Sequence, residues 1–598
     1  MTIELSNIPF TDQDDIVPAS GVEQILNTGL TNTLAGNDRI TGTGSDYRDS
    51  GDYGFENVGT LNTDDGNDTI TGIAGGPYNP NAIFDFGISN SGTLNTARGD
   101  DVITGRGYIR GIVNSGIFNT GEGNDKITAN GFRQQGALHN TNTFNTGEGN
   151  DTITAEGLNG YGILTSGTFN TAEGDDVITS HGNGGGIITS GTFNTAEGDD
   201  VIAGSGTNGG IIIGGMFDTG DGNDRIRGFG RPTTGIYNDS FTFNTGDGND
   251  TIDGEGFDGI YNKGPINTGK GKDIIIASGG IRDENYGLEN FSTIYTGDDD
   301  DIINVEYRIK NDGYIDTGNG DDSITASYSD PFYRPYPVAL INLNTIETGE
   351  GNDIIKGNDI ITSTGGFYDE DGAAINARKA IFNDGTINTG NGQDSIISMG
   401  NFTNRGGVFL GEGNDSLTAS IIAQVGLPNR AIENFNAIET GDGDDIITST
   451  GVIYNEGVIN TGDGHDSIIV NGGVDGTGTG YGIYNNGGSI NTGNGNDSII
   501  ASEGFKSGEN SSGAWFLGEG NDYIKGFGSG DFYGGNGNDT LELTPGTYTV
   551  GIWGEGGESP IFTKGNQLMI TSEFEKLKAG STIYDFTSLT AGQIIIVP

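Results

Sequence analysis

The chain has 598 residues, of which 112 are glycine and none is cysteine, so disulfides and thiolate metal sites are excluded. Its 27 basic and 83 acidic residues give a net charge of −56, which makes nucleic acid and anionic membranes unfavourable partners. The sequence has no run of about 18 apolar residues, so we expect no membrane-spanning helix.

Residues 1–30 carry no copy of the repeat that follows, and we predict that they form an N-terminal cap over its first coil. The first 15 residues are acidic and lack the basic segment and apolar run of a Sec-type signal peptide. We therefore expect that any export is directed by another part of the chain.

Residues 31–541 repeat one unit 20 times, as in FNTGEGNDKITANG (118–131) and FNTGEGNDTITAEG (144–157). When the copies are aligned on their central aspartate, glycine stands two residues before it in 19 copies, with Asp299 as the exception. Isoleucine or leucine stands two residues after it in every copy, and an apolar residue stands seven before it in all copies but the first. Apolar residues at such fixed offsets argue against disorder and predict short strands on both sides of a glycine-rich turn.

A second element, Asn-x-Gly, precedes many copies, as in GVIYNEGVIN (451–460), and predicts a further corner in each coil. One coil of two or three short strands cannot bury its own apolar face, so the coils are expected to stack. We expect a helical turn only around residues 573–577. The predicted fold is all-β, a right-handed parallel β-helix or β-roll solenoid of about 20 coils, with Gly-Asn-Asp turns stacked along one edge.

The unit resembles the RTX, or haemolysin-type, calcium-binding repeat, whose pattern is Gly-Gly-x-Gly-x-Asp-x-apolar-x. Residues 534–541, GGNGNDTL, match that pattern at every fixed position. The resemblance implies structural calcium held by the repeat aspartate and by the carbonyl groups of the turn. Threonine replaces the first glycine in 17 copies, and one motif occurs per long coil, so only one edge is expected to carry metal.

Calcium takes about six to eight oxygen ligands, more than one turn supplies but within the reach of two stacked turns. One ion in each of the 19 gaps between 20 turns would change the net charge from −56 to −18, and we expect calcium binding and folding to be coupled. The alternative is that each aspartate only caps its own turn. The candidate metal ligands are Asp38, Asp68, Asp101, Asp125, Asp151, Asp176, Asp200, Asp224, Asp250, Asp273, Asp301, Asp322, Asp353, Asp394, Asp415, Asp445, Asp466, Asp497, Asp522 and Asp539. Lys272 and His465 directly precede Asp273 and Asp466, which are therefore the two sites predicted to be weakest.

From Glu542 onward the turn pattern stops, and residues 542–598 are predicted to form a C-terminal β cap with strands in LELTPGTYTV, GNQLMITSEFEKL and AGQIIIVP. This region resembles the uncleaved C-terminal secretion region of RTX proteins. The resemblance implies type I secretion machinery as a transient partner and an extracellular or cell-surface location.

We expect no enzyme, because only His139, His181 and His465 are present and neither an HExxH nor a Gly-x-Ser-x-Gly motif occurs. The expected role is structural or adhesive, with a surface polysaccharide or a second copy of the chain as a partner. Two alternatives stay open, a calcium-dependent polysaccharide lyase, epimerase or glycan-binding β-helix, and an ice-binding face of threonine and asparagine. The candidates for a polysaccharide site are Arg106, Arg110, Arg133, Tyr333, Arg334 and Tyr336.

Overall fold

The structure is a computed structural model that describes residues 2–18, 23–44, 52–74, 85–133, 135–279, 285–328, 338–359, 379–421, 429–473, 480–508, 513–554 and 559–598. The chain divides into two units, Met1–Asp298 and Asp299–Pro598. In both, short strands of successive coils pair in parallel into long sheets, which confirms the predicted parallel solenoid. The described residues include no helix that is long and apolar enough to cross a bilayer.

One coil of the first unit shows how the repeat folds. Arg110–Asn114 lies in the first sheet, and Ile117–Asn119, after an asparagine corner, lies in the second. The glycine-rich turn follows, and Lys126–Gly131 lies in the third sheet. Sheets 1, 2 and 3 below denote these three positions. Each coil therefore has three strands, the upper limit of the prediction.

The first unit carries these three sheets along its length, with one 3-10 turn at Leu5–Asn7. The strands of sheet 1 are Thr2–Glu4, Gln24–Asn27, Asp52–Asn57, Asp85–Asn90, Arg110–Asn114, Leu138–Asn140, Tyr161–Thr165, Gly185–Thr189, Ile211–Ile213, Ile236–Asn238, Ile260–Asn262 and Leu288–Asn290. The strands of sheet 2 are Leu30–Asn32, Thr60–Asn62, Thr93–Asn95, Ile117–Asn119, Thr143–Asn145, Thr168–Asn170, Thr192–Asn194, Met216–Asp218, Thr242–Asn244, Ile266–Asn267 and Thr293–Tyr295. The strands of sheet 3 are Ile16–Val17, Arg39–Thr43, Thr69–Ile73, Val102–Gly107, Lys126–Gly131, Thr152–Gly157, Val177–Gly182, Val201–Gly206, Arg225–Gly230, Thr251–Gly256 and Ile274–Ser278.

The second unit repeats the arrangement and adds antiparallel strands near its end, with a 3-10 turn at Phe586–Ser588. Sheet 1 holds Ile309–Asn311, Val338–Asn342, Lys379–Asn383, Asn401–Asn404, Arg430–Asn434, Val452–Asn455, Ile483–Asn485 and Phe505–Ser507. Sheet 2 holds Tyr314–Asp316, Thr345–Glu347, Thr386–Asn388, Gly407–Phe409, Ala437–Glu439, Val458–Asn460, Ser489–Asn491, Ala514–Gly520, Gly530–Gly537, Gly546–Trp553, Ser559–Lys564, Gln567–Ser572 and Ile594–Val597. Sheet 3 holds Ile302–Glu306, Ser323–Tyr328, Ile354–Asp359, Ser395–Met399, Ser416–Ala419, Ile446–Ser449, Ser467–Val470, Ser498–Ala501, Tyr523–Lys525, Thr540–Leu543, Lys576–Ala579 and Thr582–Asp585.

The core of the first unit consists of identical side chains stacked between coils. Phe118 lies over Phe144 with ring centroids 4.5 Å apart, and Phe144 lies over Phe169 at 5.0 Å, all fully buried. Ile127 pairs with Ile153 in the same way on sheet 3. Because the side-chain period of a strand is two, a slip of one residue would turn these columns toward solvent, so the repeat fixes the register.

The predicted corner between sheets 1 and 2 contains a buried asparagine ladder. The Asn90 amide donates to Oδ1 of Asn114 at 2.8 Å, and the Asn114 amide donates to Oδ1 of Asn140 at 2.9 Å. Asn114 also donates to the carbonyl oxygen of Thr143, which lies just beyond the corner of the next coil. These bonds satisfy buried polar groups while holding consecutive corners in register.

The predicted strands of the C-terminal region are confirmed, with Gly546–Trp553 antiparallel to both Ser559–Lys564 and Ile594–Val597. The helical turn expected at residues 573–577 is wrong, because Lys576–Ala579 is a strand parallel to Thr540–Leu543. Leu577 is fully buried above Leu541 and continues the apolar column of sheet 3. Burial in that column outweighs the local helical pattern.

Candidate metal centre

The repeat aspartates lie directly above one another in the turn between sheets 2 and 3. All 20 are buried, with at most 2 % of their surface exposed. The backbone N–H of Asp125 donates to Oδ1 of Asp151 at 2.8 Å, and the N–H of Asp151 donates to Oδ1 of Asp176 at 2.7 Å. The carboxylates therefore face the interior of the turn, each tied to the coil before it.

This aspartate ladder runs through both units with one geometry. In the first unit it extends from Asp38 to Asp273, and in the second from Asp301 to Asp539, with N to Oδ1 distances of 2.7–2.9 Å. Backbone carbonyls complete each rung, as where the carbonyl of Asp101 accepts the N–H of Lys126 at 2.8 Å. The structure thus brings the candidates of each unit into one column and does not scatter them around the coil.

Two ladder residues were missed by sequence reasoning. The N–H of Asp15 donates to Oδ1 of Asp38 at 2.8 Å, so a degenerate turn precedes the first recognised copy. At the other end, the N–H of Asp539 donates to a carboxylate oxygen of Glu575 at 2.7 Å. A signal was present, because Asp15 and Glu575 each stand two residues before a buried apolar residue, Val17 and Leu577 respectively, but the glycine was absent.

Glycine two residues before the aspartate allows close stacking of the coils in 19 of the 20 turns. Gly149 has φ of +132°, and a Cβ there would lie 2.0 Å from the carbonyl oxygen of Gly123 in the preceding coil. The same contact recurs between Gly123 and Gly99 at 1.9 Å. At these two positions a side chain would clash with the preceding coil, and the one turn without glycine has Asp299 at a similarly positive φ of +88°.

The second carboxylate oxygen, Oδ2, is buried without a hydrogen-bond donor at seventeen of the twenty ladder positions. The other three positions are Asp273, Asp301 and Asp445. At Asp445 the hydroxyl of Thr440 supplies the bond at 2.5 Å. At most other positions that have the equivalent threonine, its hydroxyl donates to a carbonyl of the next coil, as Thr120 does to Thr146 at 2.8 Å, although it lies near enough to the aspartate to lower its pKa. The Thr171 hydroxyl makes no such bond, and leucine or glycine replaces the threonine before Asp415, Asp522 and Asp539. A hydroxyl has one hydrogen, so it does not satisfy both oxygens.

Burial raises the pKa of these carboxyl groups. Desolvation raises the pKa of Asp176 to about 7 and that of Asp200 to about 8, although the neighbouring threonine hydroxyl and backbone N–H lower it in part. Neighbouring aspartates of the ladder add to the rise. At neutral pH the column is therefore poised to take up positive charge, either protons or bound cations.

Two further rows on the same edge are exposed and polar. The residue before each ladder aspartate is one row, in which the N–H of Asn150 donates to Oδ1 of Asn124 at 2.9 Å and that of Asp175 donates to Oδ1 of Asn150 at 3.0 Å. The residue three before the aspartate is the other, as at Glu148 and Glu173, both exposed. The turn edge therefore places solvated carboxylates next to the buried ones, which raises the local cation concentration.

Lys272 and His465 keep the backbone geometry of the exposed row. The N–H of Lys272 donates to Oδ1 of Asn249 at 2.9 Å. His465 takes the place of an asparagine oxygen, because its Nδ1 accepts the N–H of Asn496 at 2.9 Å. The prediction that Asp273 and Asp466 are weak sites stays a prediction.

The donor chemistry of the turn fits calcium. Within the described residues, no three histidine or acidic side chains converge on a single point, so any ion must use backbone oxygens as well. Oδ2 of consecutive ladder aspartates and the carbonyls of the glycine row are hard oxygen donors, the type that calcium prefers. The orphaned Oδ2 atoms are the groups that a cation would complete.

The three arginines of the alternative polysaccharide site, Arg106, Arg110 and Arg133, lie within the described residues. The guanidinium of Arg110 lies 5.7 Å from the Phe86 ring centroid, and that of Arg133 lies 5.2 Å from the Tyr108 ring centroid. Arg106 stands on sheet 3, in register with Asn130 of the next coil. Tyr333, Arg334 and Tyr336 lie outside the described residues.

The chain was compared with family models, with curated proteins and with solved structures. None of the three comparisons finds a match.

Proposed function

We propose that this chain is a calcium-binding β-solenoid whose ladder aspartates hold structural calcium, and that it serves outside the cell as a structural or adhesive protein. One observation carries the proposal, the column of buried carboxylates in which Oδ2 has no donor at most positions. A buried carboxylate with an unsatisfied oxygen is costly unless a cation or a proton neutralises it.

Calcium is favoured over the proton by the surroundings of the column. The net charge of −56 and the exposed carboxylates of the turn edge attract divalent cations, which would also relieve repulsion between coils. A proton satisfies one oxygen at a time, whereas an ion between two turns would be shared by two carboxylates and the glycine carbonyls. The pattern of the repeat, which resembles the RTX unit, supports the same choice.

The proposed extracellular location rests on the coupling of calcium binding to folding and on the resemblance of the C-terminal region to type I secretion segments. Calcium binding that supplies folding energy leaves a chain unfolded where calcium is scarce, and an unfolded chain is the form that a secretion channel passes. The C-terminal region, similar to type I secretion segments, supports export by such machinery. Detection of the native protein in the medium or by surface proteolysis of intact cells would test this part.

Calcium titration of the chelator-treated chain at pH 8 tests the metal. We expect a low melting temperature and reduced strand signal in circular dichroism before calcium, and a cooperative gain of both together with binding heat after it. Magnesium at the same concentration serves as the control and should act weakly, because it demands a rigid octahedral shell. An identical spectrum and melting temperature with chelator and with calcium would refute the proposal.

A further inference from the structure

The outer face of sheet 2 in the first unit carries a second row of polar side chains, which is not part of the aspartate ladder. Six of its eleven strands have the pattern Thr-x-Asn, with the middle residue buried and the outer two partly or fully exposed, and Asp218 and Tyr295 replace the asparagine in two of the others. The amide of Asn145 donates to Oδ1 of Asn119 at 2.6 Å, and the amide of Asn170 donates to Oδ1 of Asn145 at 2.6 Å. We call this the outer amide row.

A groove of about 410 Å³ runs along this row between Asn62 and Asn170. Its lining is made of asparagine and threonine side chains from five successive coils, together with Ile117. Ile117 is 46 % exposed and supplies one apolar surface among the polar groups. The lining contains no charged side chain, although the chain as a whole carries −56.

The hydrogen bonds along the outer amide row use only half of the donors and acceptors of each asparagine amide. An asparagine amide has two N–H donors and two acceptor lone pairs, and one of each is engaged with the neighbouring coils. The remaining donor and acceptor of each amide recur once per coil along the groove at a spacing of roughly 4.8 Å, together with the hydroxyl of the threonine two residues earlier except in the coil of Ile117. A matching ligand therefore needs paired donors and acceptors at a similar repeat.

We propose that this groove binds a neutral, hydroxyl-rich polysaccharide that lies along the solenoid with about one sugar per coil. Sugar hydroxyls both donate and accept, the ring C–H face packs on an aliphatic side chain such as Ile117, and an extended glycan advances by a similar length per ring. An acidic polysaccharide would be repelled by the acidic chain. A protein partner would need a larger apolar centre than Ile117 provides.

The second unit offers an internal comparison. At the positions of the outer amide row, it has Asp316, Glu347, Phe409 and Glu439 among its asparagines. The regular Thr-x-Asn face is therefore confined to part of the chain and does not follow from the solenoid alone. The inference rests on this face and not on calcium.

Affinity gel electrophoresis of the full chain, folded in calcium, tests the groove with laminarin, dextran and hydroxyethyl cellulose as neutral probes and alginate as the acidic one. We expect at least one neutral polymer to retard the protein and alginate to have no such effect. The double variant Thr143→Val/Asn145→Ser should bind about tenfold more weakly, because it removes two hydrogen-bonding groups from the centre of the groove. The matched variant Thr242→Val/Asn244→Ser changes the same row outside the groove and should bind like the wild type.

A third variant guards against a loss of structure. Thr143→Tyr fills the groove without touching the ladder, and Tyr314 already occupies the equivalent strand position in the second unit. It should abolish retardation while the circular dichroism spectrum stays unchanged. Absence of retardation by every neutral polymer, or equal losses in the central and the matched double variants, would overturn the proposal.

An ice-binding face is the competing outcome. Thermal hysteresis in the wild type that is lost in Thr143→Tyr, without retardation by any glycan, would assign the face to ice and overturn the glycan proposal. The spectrum in calcium keeps this result separate from the calcium question, because a folded chain that binds no glycan refutes only the groove.

Discussion

Replacing one ladder aspartate by asparagine should have opposite effects on stability with and without calcium. Asp176 is 1 % exposed, its Oδ1 accepts the N–H of Asp151 at 2.7 Å, and its Oδ2 has no hydrogen-bond donor. Asp176→Asn keeps an oxygen for that N–H but removes the charge. Without calcium it relieves a desolvated carboxylate, and with calcium it removes a ligand.

The size of the metal-free effect follows from the pKa. Burial raises the pKa of Asp176 from 3.8 to about 7, and a difference of about 3 units at ~1.36 kcal/mol each corresponds to about 4 kcal/mol of destabilisation at pH 8. The new amide has two N–H donors, of which the neighbouring Thr171 hydroxyl oxygen can accept only one, and the unsatisfied donor costs about 1–3 kcal/mol. We therefore expect Asp176→Asn to stabilise the chelated chain by about 1–3 kcal/mol and to destabilise the calcium form by about 2 kcal/mol.

Hydrogen exchange around residues 151–177 and urea midpoints, both with chelator and with calcium at pH 8, measure the effect. Because coils of a solenoid contact only their neighbours, exchange reports the local change directly. Asp175→Asn is the matched control, since Asp175 is exposed and asparagine already fills its row at Asn124 and Asn150. It should shift stability by less than about 0.5 kcal/mol. Equal shifts in both variants, or one sign for Asp176→Asn under both conditions, would refute the reasoning.

Three further changes test the fold and the ladder. The chelated chain should lose stability from pH 4 to pH 8 in urea titrations. Ladder carboxyls such as Asp176 have a pKa of about 7 in the folded state and 3.8 in the unfolded state, so the folded state binds more protons, and the stability that these protons supply is lost as the pH rises through 7. A gain of stability with rising pH would contradict this. Gly149→Ala should cost about 2–4 kcal/mol in thermal melts, since its Cβ would meet the Gly123 carbonyl at 2.0 Å, and a loss near zero would mean that the coils are not so tightly stacked. Phe169→Ala should cost about 3–5 kcal/mol of stability, because this fully buried ring stacks on its two neighbours with centroid distances of 5.0 and 4.7 Å. The control Phe169→Leu should cost less than about half of that, and equal losses in the two variants would argue against a packed column.

The sequence predicts most of the fold because residues at the same offset in each repeat stack on one another in successive coils. Fixed offsets such as Phe144 and Ile153 around Asp151 identify which residues share a face, and the structure buries each of them. The asparagine corner is predictable for the same reason, since Asn-x-Gly recurs before the turn.

What the sequence does not reveal depends on single contacts. Asp15 extends the ladder by donating its N–H to Oδ1 of Asp38, and Glu575 by accepting the N–H of Asp539 on its carboxylate. The apolar residue two positions after each does not identify a turn when the glycine is absent. The strand at Lys576–Ala579 has a locally helical pattern that is overridden by the buried column beneath it. The direction of the ladder carboxylates, inward and not toward water, also follows from packing and not from residue type.

Anomalous diffraction from crystals grown with calcium tests the central claim most directly. The account predicts a row of calcium peaks beside the Oδ2 atoms, with one peak between neighbouring coils along the ladder from Asp125 to Asp200. Peaks confined to exposed carboxylates such as Glu148, or an empty ladder in well-ordered crystals, would contradict it.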